Sequence, residues 1–139
     1  TVYGPRQRPD MALMKFATLI RAGRPIEVYG DGTSVRGYTY VADVVRAMEA
    51  ALDRPFPHAI FNIGGGRRVA LNELIATLGR ELGEAPVLQH VEPQVGDVPA
   101  TWADVSRASD LLDFRAEVEF EDGVARFCRW FDRVREGVE

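Results

Sequence analysis

Two arginines are the side chains of this 139-residue sequence best placed by their neighbours to bind an anion. Arg36 follows a glycine turn and opens a β-branched and aromatic run, so its guanidinium could reach a diphosphate with a fork of donors. Arg8 lies in a loop that follows Gly4-Pro5 and precedes Asp10, which we expect to cap a helix. From the residues alone, a surface salt bridge of Arg36 and a solvated loop charge at Arg8 stay open as alternatives.

A second group of polar residues lies in the loop at residues 93–99, which a proline brackets at each end. Gln94 and Asp97 lie here beside Gly96, and the loop could fold over a ligand. A loop with a purely structural role is the alternative that the residues leave open.

The patterns of several common catalytic and cofactor sites are missing. Gly64-Gly65-Gly66 does not complete the G-x-G-x-x-G pattern, so we favour a tight strand-to-helix turn. His58 and His90 have no cysteine or acidic residue at metal-ligand spacing. Lys15, the only lysine, has no tyrosine four residues before it, which excludes a Tyr-x-x-x-Lys pair. The sequence therefore predicts no catalytic residue and no metal site in this chain.

Charge and composition narrow the classes of function further. The formal net charge of −4 argues against a general nucleic-acid binder, which would have a basic excess. With no signal peptide and no run of 18 apolar residues, we expect a cytoplasmic protein that does not enter the membrane. Cys128 lies in an apolar helical context and is expected to be a buried, reduced thiol.

Hydrophobic periodicity predicts an α/β fold in which short strands and about five helices alternate. Helices are predicted at 12–22, from 44 to just before Pro55, at 71–82, from about 106, and at about 122–135. Strands are predicted at 1–3, 26–29, 36–41, 59–63 and 87–91. Some strands are too closely spaced for helical crossovers, so we expect mixed strand directions.

Three finer expectations follow from the same patterns. Alternation along residues 36–41 would place Arg36, Tyr38 and Tyr40 on one face. The nearly all-apolar strand at 59–63 should be buried on both faces. Leu111 and Leu112 should point inward from the fourth helix.

The sequence begins inside a predicted strand, so we expect it to be the C-terminal part of a larger protein. The edges of the strands at Val2 and at residues 60–63 would then lack neighbours. We expect this exposed surface to make the chain self-associate.

An ordered set of motifs along essentially the whole chain resembles the extended short-chain dehydrogenase/reductase nucleotide-sugar epimerases. The motifs are Thr1-Val2-Tyr3-Gly4-Pro5, Arg8-Pro9-Asp10-Met11-Ala12, Pro25-Ile26-Glu27-Val28-Tyr29, Arg36-x-Tyr38-Thr39-Tyr40-Val41-x-Asp43, Phe61-Asn62-Ile63-Gly64 and Gly96-Asp97-Val98-x-x-Thr101-x-Ala103-Asp104. Thr1 and Arg8 make it similar to the UDP-glucuronate 4-epimerases in particular. The resemblance implies that residues 1–139 form one C-terminal, substrate-binding portion of an extended Rossmann-type enzyme, without the N-terminal half that binds NAD.

The resemblance also implies a role for each candidate residue in a UDP-sugar pocket. Arg36 would hold the diphosphate, and the segment at Val28 and Tyr29 would hold the uracil. Gln94 and Asp97 would contact the ribose-phosphate region. Gly37 stands where many relatives have an acidic residue.

At the sugar end, the resemblance implies that Thr1 and Arg8 hold the C5 carboxylate, while the strand with Val2 and Tyr3 passes beside the nicotinamide. Oxidation at C4 creates a β-keto acid, which loses CO2 when its carboxyl bond aligns with the ketone. Restraint by Arg8 could prevent that alignment and favour epimerisation. The catalytic tyrosine, its lysine and the glycine-rich loop would all lie upstream of Thr1, so this chain alone should be inactive.

Several alternatives to a UDP-glucuronate 4-epimerase stay open, both within the resembled family and outside it. A sugar-nucleotide 4,6-dehydratase or a UDP-glucuronate decarboxylase would use the same scaffold. A non-catalytic binding or regulatory relative could keep the fold without the chemistry, and the chain could be a proteolytic product. Full-length enzymes of the resembled family are usually homodimers.

Overall fold

The computed structural model describes residues 1–65, 67–94 and 96–138. These residues form five helices: α1 (Ala12–Arg21), α2 (Val41–Asp53), α3 (Leu71–Leu82), α4 (Ser106–Leu112) and α5 (Phe120–Arg135). The same residues form seven short strands: β1 (Val2–Tyr3), β2 (Ile26–Tyr29), β3 (Val35–Gly37), β4 (Thr39–Tyr40), β5 (Arg68–Ala70), β6 (Leu88–Val91) and β7 (Ala100–Thr101). The predicted α/β class is confirmed.

The strands pair in three small sheets of mixed direction. β2 pairs in parallel with β6, and β1 pairs in parallel with β4. β3 lies between β5, which is antiparallel to it, and β7, which is parallel to it. The loop that leaves β6 and enters β7 therefore joins two different sheets, and the pairing of these two strands fixes both of its ends.

Helix α3 forms over the residues that the sequence predicts because its signals are local. Leu74, Ile75 and Leu78 repeat on one face and are all at most 2% exposed. Gly83 ends the helix in a left-handed conformation, with a φ of 69°, which glycine adopts without a steric penalty. The core that receives this face also takes apolar residues from α1, β2 and α5.

An aromatic cluster joins β1 and β4 to α5. The ring of Tyr3 lies 5.6 Å from that of Tyr40 and 5.9 Å from those of Tyr38 and Phe120, measured between centroids. The Tyr3 hydroxyl donates a hydrogen bond of 3.0 Å to the carbonyl oxygen of Phe120. Burial raises the pKa of Tyr3. Gly123 admits this hydroxyl, because a Cβ at that position would lie 2.1 Å from it.

A buried carboxylate fixes α2 to the segment before α5. Asp43 is 1% exposed and accepts hydrogen bonds of 3.3 Å from the main-chain N–H groups of Glu117 and Val118. Arg46, one turn along α2, pairs with the same carboxylate at 2.7 Å. The acid thus receives the partners that a buried charge requires.

The single strand predicted at 36–41 is wrong. β3 ends at Gly37, β4 begins at Thr39 in a different sheet, and Val41 already belongs to α2. Three consecutive side chains, those of Tyr38, Thr39 and Tyr40, are all at most 8% exposed. In a strand of a half-buried sheet, every second side chain would instead face solvent. The face predicted to be shared by Arg36, Tyr38 and Tyr40 therefore does not form as a strand face.

Residues 59–63 do not form the predicted buried strand. The segment has no strand partner in the described part of the chain, and Ile60 is 69% exposed. A strand needs a neighbour that accepts and donates its main-chain hydrogen bonds, so an apolar run alone does not create one.

Helix ends and faces account for the other differences. The N-terminal cap position of α1 is Met11, with no side-chain hydrogen bond, so the cap predicted at Asp10 is wrong. α5 begins at Phe120, two residues earlier than predicted. Leu112 is buried as expected, but Leu111 is 43% exposed. The predicted burial of the Cys128 thiol is confirmed.

Among the described residues, no helix is both long enough and apolar enough to cross a membrane.

Candidate functional site

A pocket of about 430 Å³ opens between the turn after β2 and the loop from β6 to β7. Tyr29 lines it from the end of β2, and Gln94 and Asp97 line it from the loop. The loop lies over the turn because both of its ends are fixed: β6 pairs with β2 before it, and β7 pairs with β3 after it. Three of the residues that the sequence singles out therefore meet in one cavity.

Arg36 is not one of the residues that line this pocket, but it forms an ion pair with Asp97, which is. The guanidinium Nη2 lies 2.6 Å from Asp97 Oδ1, and the Arg36 side chain is 24% exposed. Nη1 of the same group donates to the carbonyl oxygen of Val35 at 2.9 Å. The guanidinium is thus held at the edge of the pocket, with a carboxylate as its present anionic partner.

The floor of the pocket is a turn with its own carboxylate. Asp31 Oδ1 accepts hydrogen bonds from the Thr33 main-chain N–H at 2.9 Å and the Thr33 hydroxyl at 2.6 Å. These hydrogen bonds stabilise the ionised form and lower the pKa of Asp31. Asn72 secures the turn from α3, donating from its amide to the Asp31 carbonyl oxygen at 2.8 Å. Asp31 thus adds a second carboxylate to the lining of the pocket, beside Asp97.

Val28 does not reach this pocket with its side chain. It is 0% exposed and packs in the core, while its main chain pairs with His90 of β6. Tyr29, the next residue, is 42% exposed and faces the pocket. Of the two residues predicted at the uracil, only Tyr29 presents a side chain, since neighbouring residues of a strand face opposite sides.

The residues predicted at the sugar end lie in two further pockets. Thr1 lines a pocket of about 350 Å³ together with Thr39, Gly65 and Trp102. Arg8 lines another, of about 360 Å³, beside β1. The structure therefore does not bring Thr1 and Arg8 into one cavity within the described chain.

The Arg8 side chain is exposed, and its contacts to neighbouring side chains are long. Its Nε lies 3.4 Å from Asp10 Oδ1, and its Nη2 lies 3.6 Å from the sulfur of Met11. Both side chains of the Arg8–Asp10 pair are more than two-thirds exposed, at 75% and 68%. Such a pair contributes little to stability, so the guanidinium is available to a stronger anion.

The two residues predicted beside the nicotinamide differ in exposure. Val2 is 45% exposed, whereas Tyr3 is 1% exposed and its hydroxyl is committed to Phe120. The Tyr3 side chain is therefore a core element, and a ligand contact by this residue would have to involve its main chain.

The glycine turn does not form a phosphate cradle in the part that the structure describes. Gly65 donates its main-chain N–H to the Thr39 hydroxyl at 2.8 Å, so this donor is already committed. A Cβ at Gly65 would lie 2.1 Å from the Tyr38 carbonyl oxygen, which explains the glycine by close packing. Gly66 lies outside the described residues. β5, rather than a direct entry into α3, follows the turn.

Two site residues were missed by sequence reasoning. Trp102 lines the pocket of Thr1 and is 54% exposed, with the Arg68 guanidinium carbon 3.7 Å from its ring centroid. An exposed tryptophan inside a polar motif is the signal that could have revealed it. Gln7 lines the pocket of Arg8, and its position between two arginines was the only hint of a role.

No group of three or more potential metal ligands occurs among the described residues.

Comparison with known proteins gives consistent matches. Residues 1–64 match the NAD dependent epimerase/dehydratase family. The chain is 38% identical to a UDP-glucuronate 4-epimerase of Thermodesulfobacterium geofontis over 94% of its own length and 40% of that protein. It is also 34% identical to a dTDP-glucose 4,6-dehydratase of Streptomyces griseus, over 96% of its length and 41% of that enzyme.

A solved structure extends the similarity to three dimensions. The UDP-glucuronic acid 4-epimerase from Bacillus cereus, in complex with UDP-glucuronic acid and NAD, superimposes with a TM-score of 0.87 at 33% identity. The match covers 96% of this chain and 43% of that one. The chain thus spans about two-fifths of the length of these relatives.

Proposed function

We propose that this chain, whose residues 1–64 match the NAD dependent epimerase/dehydratase family, forms the nucleotide-sugar-binding portion of a UDP-glucuronate 4-epimerase. The observation that carries the proposal is the pocket that collects Tyr29, Gln94 and Asp97, with Arg36 at its edge. The residues that catalyse the reaction and most of those that bind NAD belong, on this proposal, to other parts of a longer protein.

The pocket suits the nucleoside end of a UDP-sugar. Its charged lining residues are the carboxylates of Asp31 and Asp97, which accept hydrogen bonds from ribose hydroxyls and disfavour a phosphate in the cavity itself. The exposed ring of Tyr29 offers a face against which a base can stack. The amide of Gln94 adds both a donor and an acceptor.

Arg36 is the group that would receive the diphosphate. Its guanidinium pairs with Asp97 at 2.6 Å. A diphosphate at the pocket edge would take over the guanidinium, and Asp97 would turn to a ribose hydroxyl. The exchange gives Arg36 a new anion and leaves the Asp97 carboxylate, whose side chain is 45% exposed, to the ribose and to solvent, so no ion is isolated in the interior.

Arg8 would bind the acid group that distinguishes UDP-glucuronate from neutral sugar nucleotides. Its weak contacts to Asp10 and Met11 leave the fork of donors free to engage a carboxylate with two hydrogen bonds. Such a restraint would hold the carboxyl bond away from a ketone at C4, which opposes loss of CO2. Thr1 would approach the same sugar from the neighbouring pocket.

NAD does not fit the described residues as a bound dinucleotide. The one candidate phosphate turn has its Gly65 donor committed to Thr39 and packs against the Tyr38 carbonyl oxygen. The structures that match this chain are complexes that contain NAD. We therefore assign the cofactor's binding to residues beyond this chain, with Val2 and the main chain of β1 as its nearest contacts here.

The decisive experiment is to incubate the full-length protein that contains this chain with NAD and UDP-glucuronate, and to follow the products by NMR. We expect UDP-galacturonate with no release of CO2. Release of CO2 would identify a decarboxylase instead. A 4-keto-6-deoxy product from a dTDP- or UDP-glucose substrate would identify a dehydratase, the function of one of the relatives.

A protein that binds UDP-glucuronate but changes none of these substrates would indicate a non-catalytic relative. In that case the coding sequence upstream of Thr1 should lack the glycine-rich loop and the Tyr-x-x-x-Lys pair. Such a protein would refute the proposed reaction, whereas its binding of UDP-glucuronate would agree with the proposed pocket.

A further inference from the structure

We propose that Gln7 is an additional specificity residue of the sugar site, which favours an acidic sugar over a neutral one. The proposal rests on the proposed function and adds a residue to it. The observation behind it is that both polar atoms of the Gln7 amide are buried and have no hydrogen-bond partner within the described chain.

An unpaired buried amide is uncommon in proteins, because it loses its hydrogen bonds to water without replacement. The rest of the Gln7 side chain is only half-buried and lines the pocket of Arg8, so its three rotatable bonds can turn the amide to the pocket surface. The main chain before it is held in a fixed shape by Gly4 and Arg6, which have φ angles of 146° and 64°. A partner arriving in this pocket would therefore be met by the amide after a rotation of this side chain, on a main chain that keeps its shape.

The other walls of the pocket indicate what that partner is. Val2, Pro5, Met11 and Val41 are apolar, and they offer the amide no side-chain hydrogen bond. The Tyr3 hydroxyl, which could have done so, is committed to the Phe120 carbonyl oxygen at 3.0 Å.

Arg6 and Arg8 complete the lining and make the pocket electropositive. A neutral peptide group from another segment of the protein would pair with the amide but would not need two neighbouring cations. The charges favour an anion instead.

An amide presents one donor and one acceptor side by side. The complementary ligand has an anionic oxygen beside a hydroxyl, which is the arrangement of a C5 carboxylate and its neighbouring C4 hydroxyl in a uronate. The amide N–H would donate to the carboxylate and the amide oxygen would accept from the hydroxyl. A sugar with a primary alcohol at C5 supplies no charge, so it gains less from the same contacts.

The test uses the full-length protein and its Gln7→Leu variant, which keeps the volume and removes the amide. KM should rise roughly 10- to 100-fold for UDP-glucuronate, the factor expected for a lost hydrogen bond to a charged group. The dissociation constant for UDP alone should not change, because UDP lacks the sugar. Gln7→Glu should raise KM at least as much by placing a second negative charge against the carboxylate.

Two controls keep the outcome interpretable. Gln89→Leu, at an exposed position of β6, should leave all of these constants unchanged. Thermal unfolding of each variant shows whether the fold is intact. A Gln7→Leu variant that melts much earlier and loses UDP binding equally would overturn the proposal, since it would indicate an amide paired with another part of the protein.

The failure of this inference is distinguishable from that of the proposed function. If the wild-type protein converts UDP-glucuronate and Gln7→Leu does so with the same KM, only the role of Gln7 is refuted. If the wild-type protein neither binds nor converts UDP-glucuronate, the proposed function fails and the role of Gln7 fails with it.

Discussion

Replacement of Gly123 by alanine should destabilise the chain, although the same change stabilises most helices. Gly123 lies in the first turn of α5, and alanine in a helix is favoured over glycine by about 1 kcal/mol. A Cβ at this position would lie 2.1 Å from the hydroxyl oxygen and 2.8 Å from Cζ of Tyr3. Distances this short require Tyr3 or α5 to move.

The magnitude follows from what surrounds Tyr3. Its ring is 1% exposed and contacts three other aromatic rings, so displacing it costs about 1–3 kcal/mol in overpacking. Its hydrogen bond to Phe120 would also be lost, at about 1 kcal/mol. After subtraction of the roughly 1 kcal/mol gained in helix propensity, we expect a net loss of about 1–3 kcal/mol.

Urea unfolding of the purified protein, followed by tryptophan fluorescence, measures this loss as a shift in the transition midpoint. Tyr3→Phe supplies the matched background, because it removes the oxygen that lies nearest to the new Cβ. Gly123→Ala should cost at least about 1 kcal/mol less in that background, which a double-mutant cycle reports as coupling. A neutral or stabilising Gly123→Ala, or an equal cost in both backgrounds, would refute the steric argument.

Four further changes test other parts of the structure. Arg36→Ala should weaken UDP binding roughly 10- to 100-fold by calorimetry, while Arg24→Ala, at an exposed position, should not change it. Asp43→Ala should lower the free energy of unfolding by about 1–3 kcal/mol, since two main-chain N–H groups lose their acceptor. Burial raises the pKa of the Cys128 thiol from 9.0 to about 12, so between these values the unfolded chain binds fewer protons than the folded one. The free energy of unfolding in urea should therefore fall as the pH rises above 9.0, and it should fall less steeply in Cys128→Ala. Equal slopes against pH in the two proteins would contradict this account. The chain has exposed apolar surface, which includes the Leu52 side chain at 83% exposure, and this surface should cause self-association. Light scattering should detect the self-association, and Leu52→Asp should reduce it. A clean monomer at high concentration would count against this expectation.

Elements whose signals are local could be predicted from the sequence. Helix α3 has its apolar stripe and its terminating Gly83 within one continuous stretch, Leu71 to Gly83, at about the length of an average helix, and its bounds are correct. The strand at Ile26–Tyr29 lies between a helix and a glycine turn, and its bounds are correct too. In both cases no distant residue is needed to decide the conformation.

Elements that depend on distant partners could not be predicted. The run at 36–41 looks like one strand in the sequence. In the structure, its first residues belong to β3, which pairs with β5 and β7, whereas Thr39 and Tyr40 form β4, which pairs with β1. The apolar segment at 59–63 has strand composition, but it pairs with no strand within the described residues and stays irregular. Whether such a segment forms a strand depends on which backbone groups lie next to it in the folded chain, and the local residue pattern carries no information about those neighbours.

The candidate site shows the same division. The residue types at Gln94 and Asp97 left a ligand loop and a structural loop open, and the structure places both side chains at one pocket with Tyr29. The pairing of Arg36 with Asp97 joins residues 61 positions apart, so no local pattern could reveal it. Of the two partners that the residues alone left open for Arg36, the structure shows the salt bridge, and its binding of a diphosphate stays a prediction.

The three pockets also differ in how completely this chain forms them. The pocket at Tyr29, Gln94 and Asp97 has walls on both sides, from the turn after β2 and the loop before β7. Thr1 and Arg8 face separate cavities, so the sugar between them would contact this chain only at isolated points. On the proposed function, most of the affinity of this chain for a UDP-sugar would therefore come from UDP. Discrimination among sugars would require the remainder of the protein to bring the pockets of Thr1 and Arg8 against one substrate.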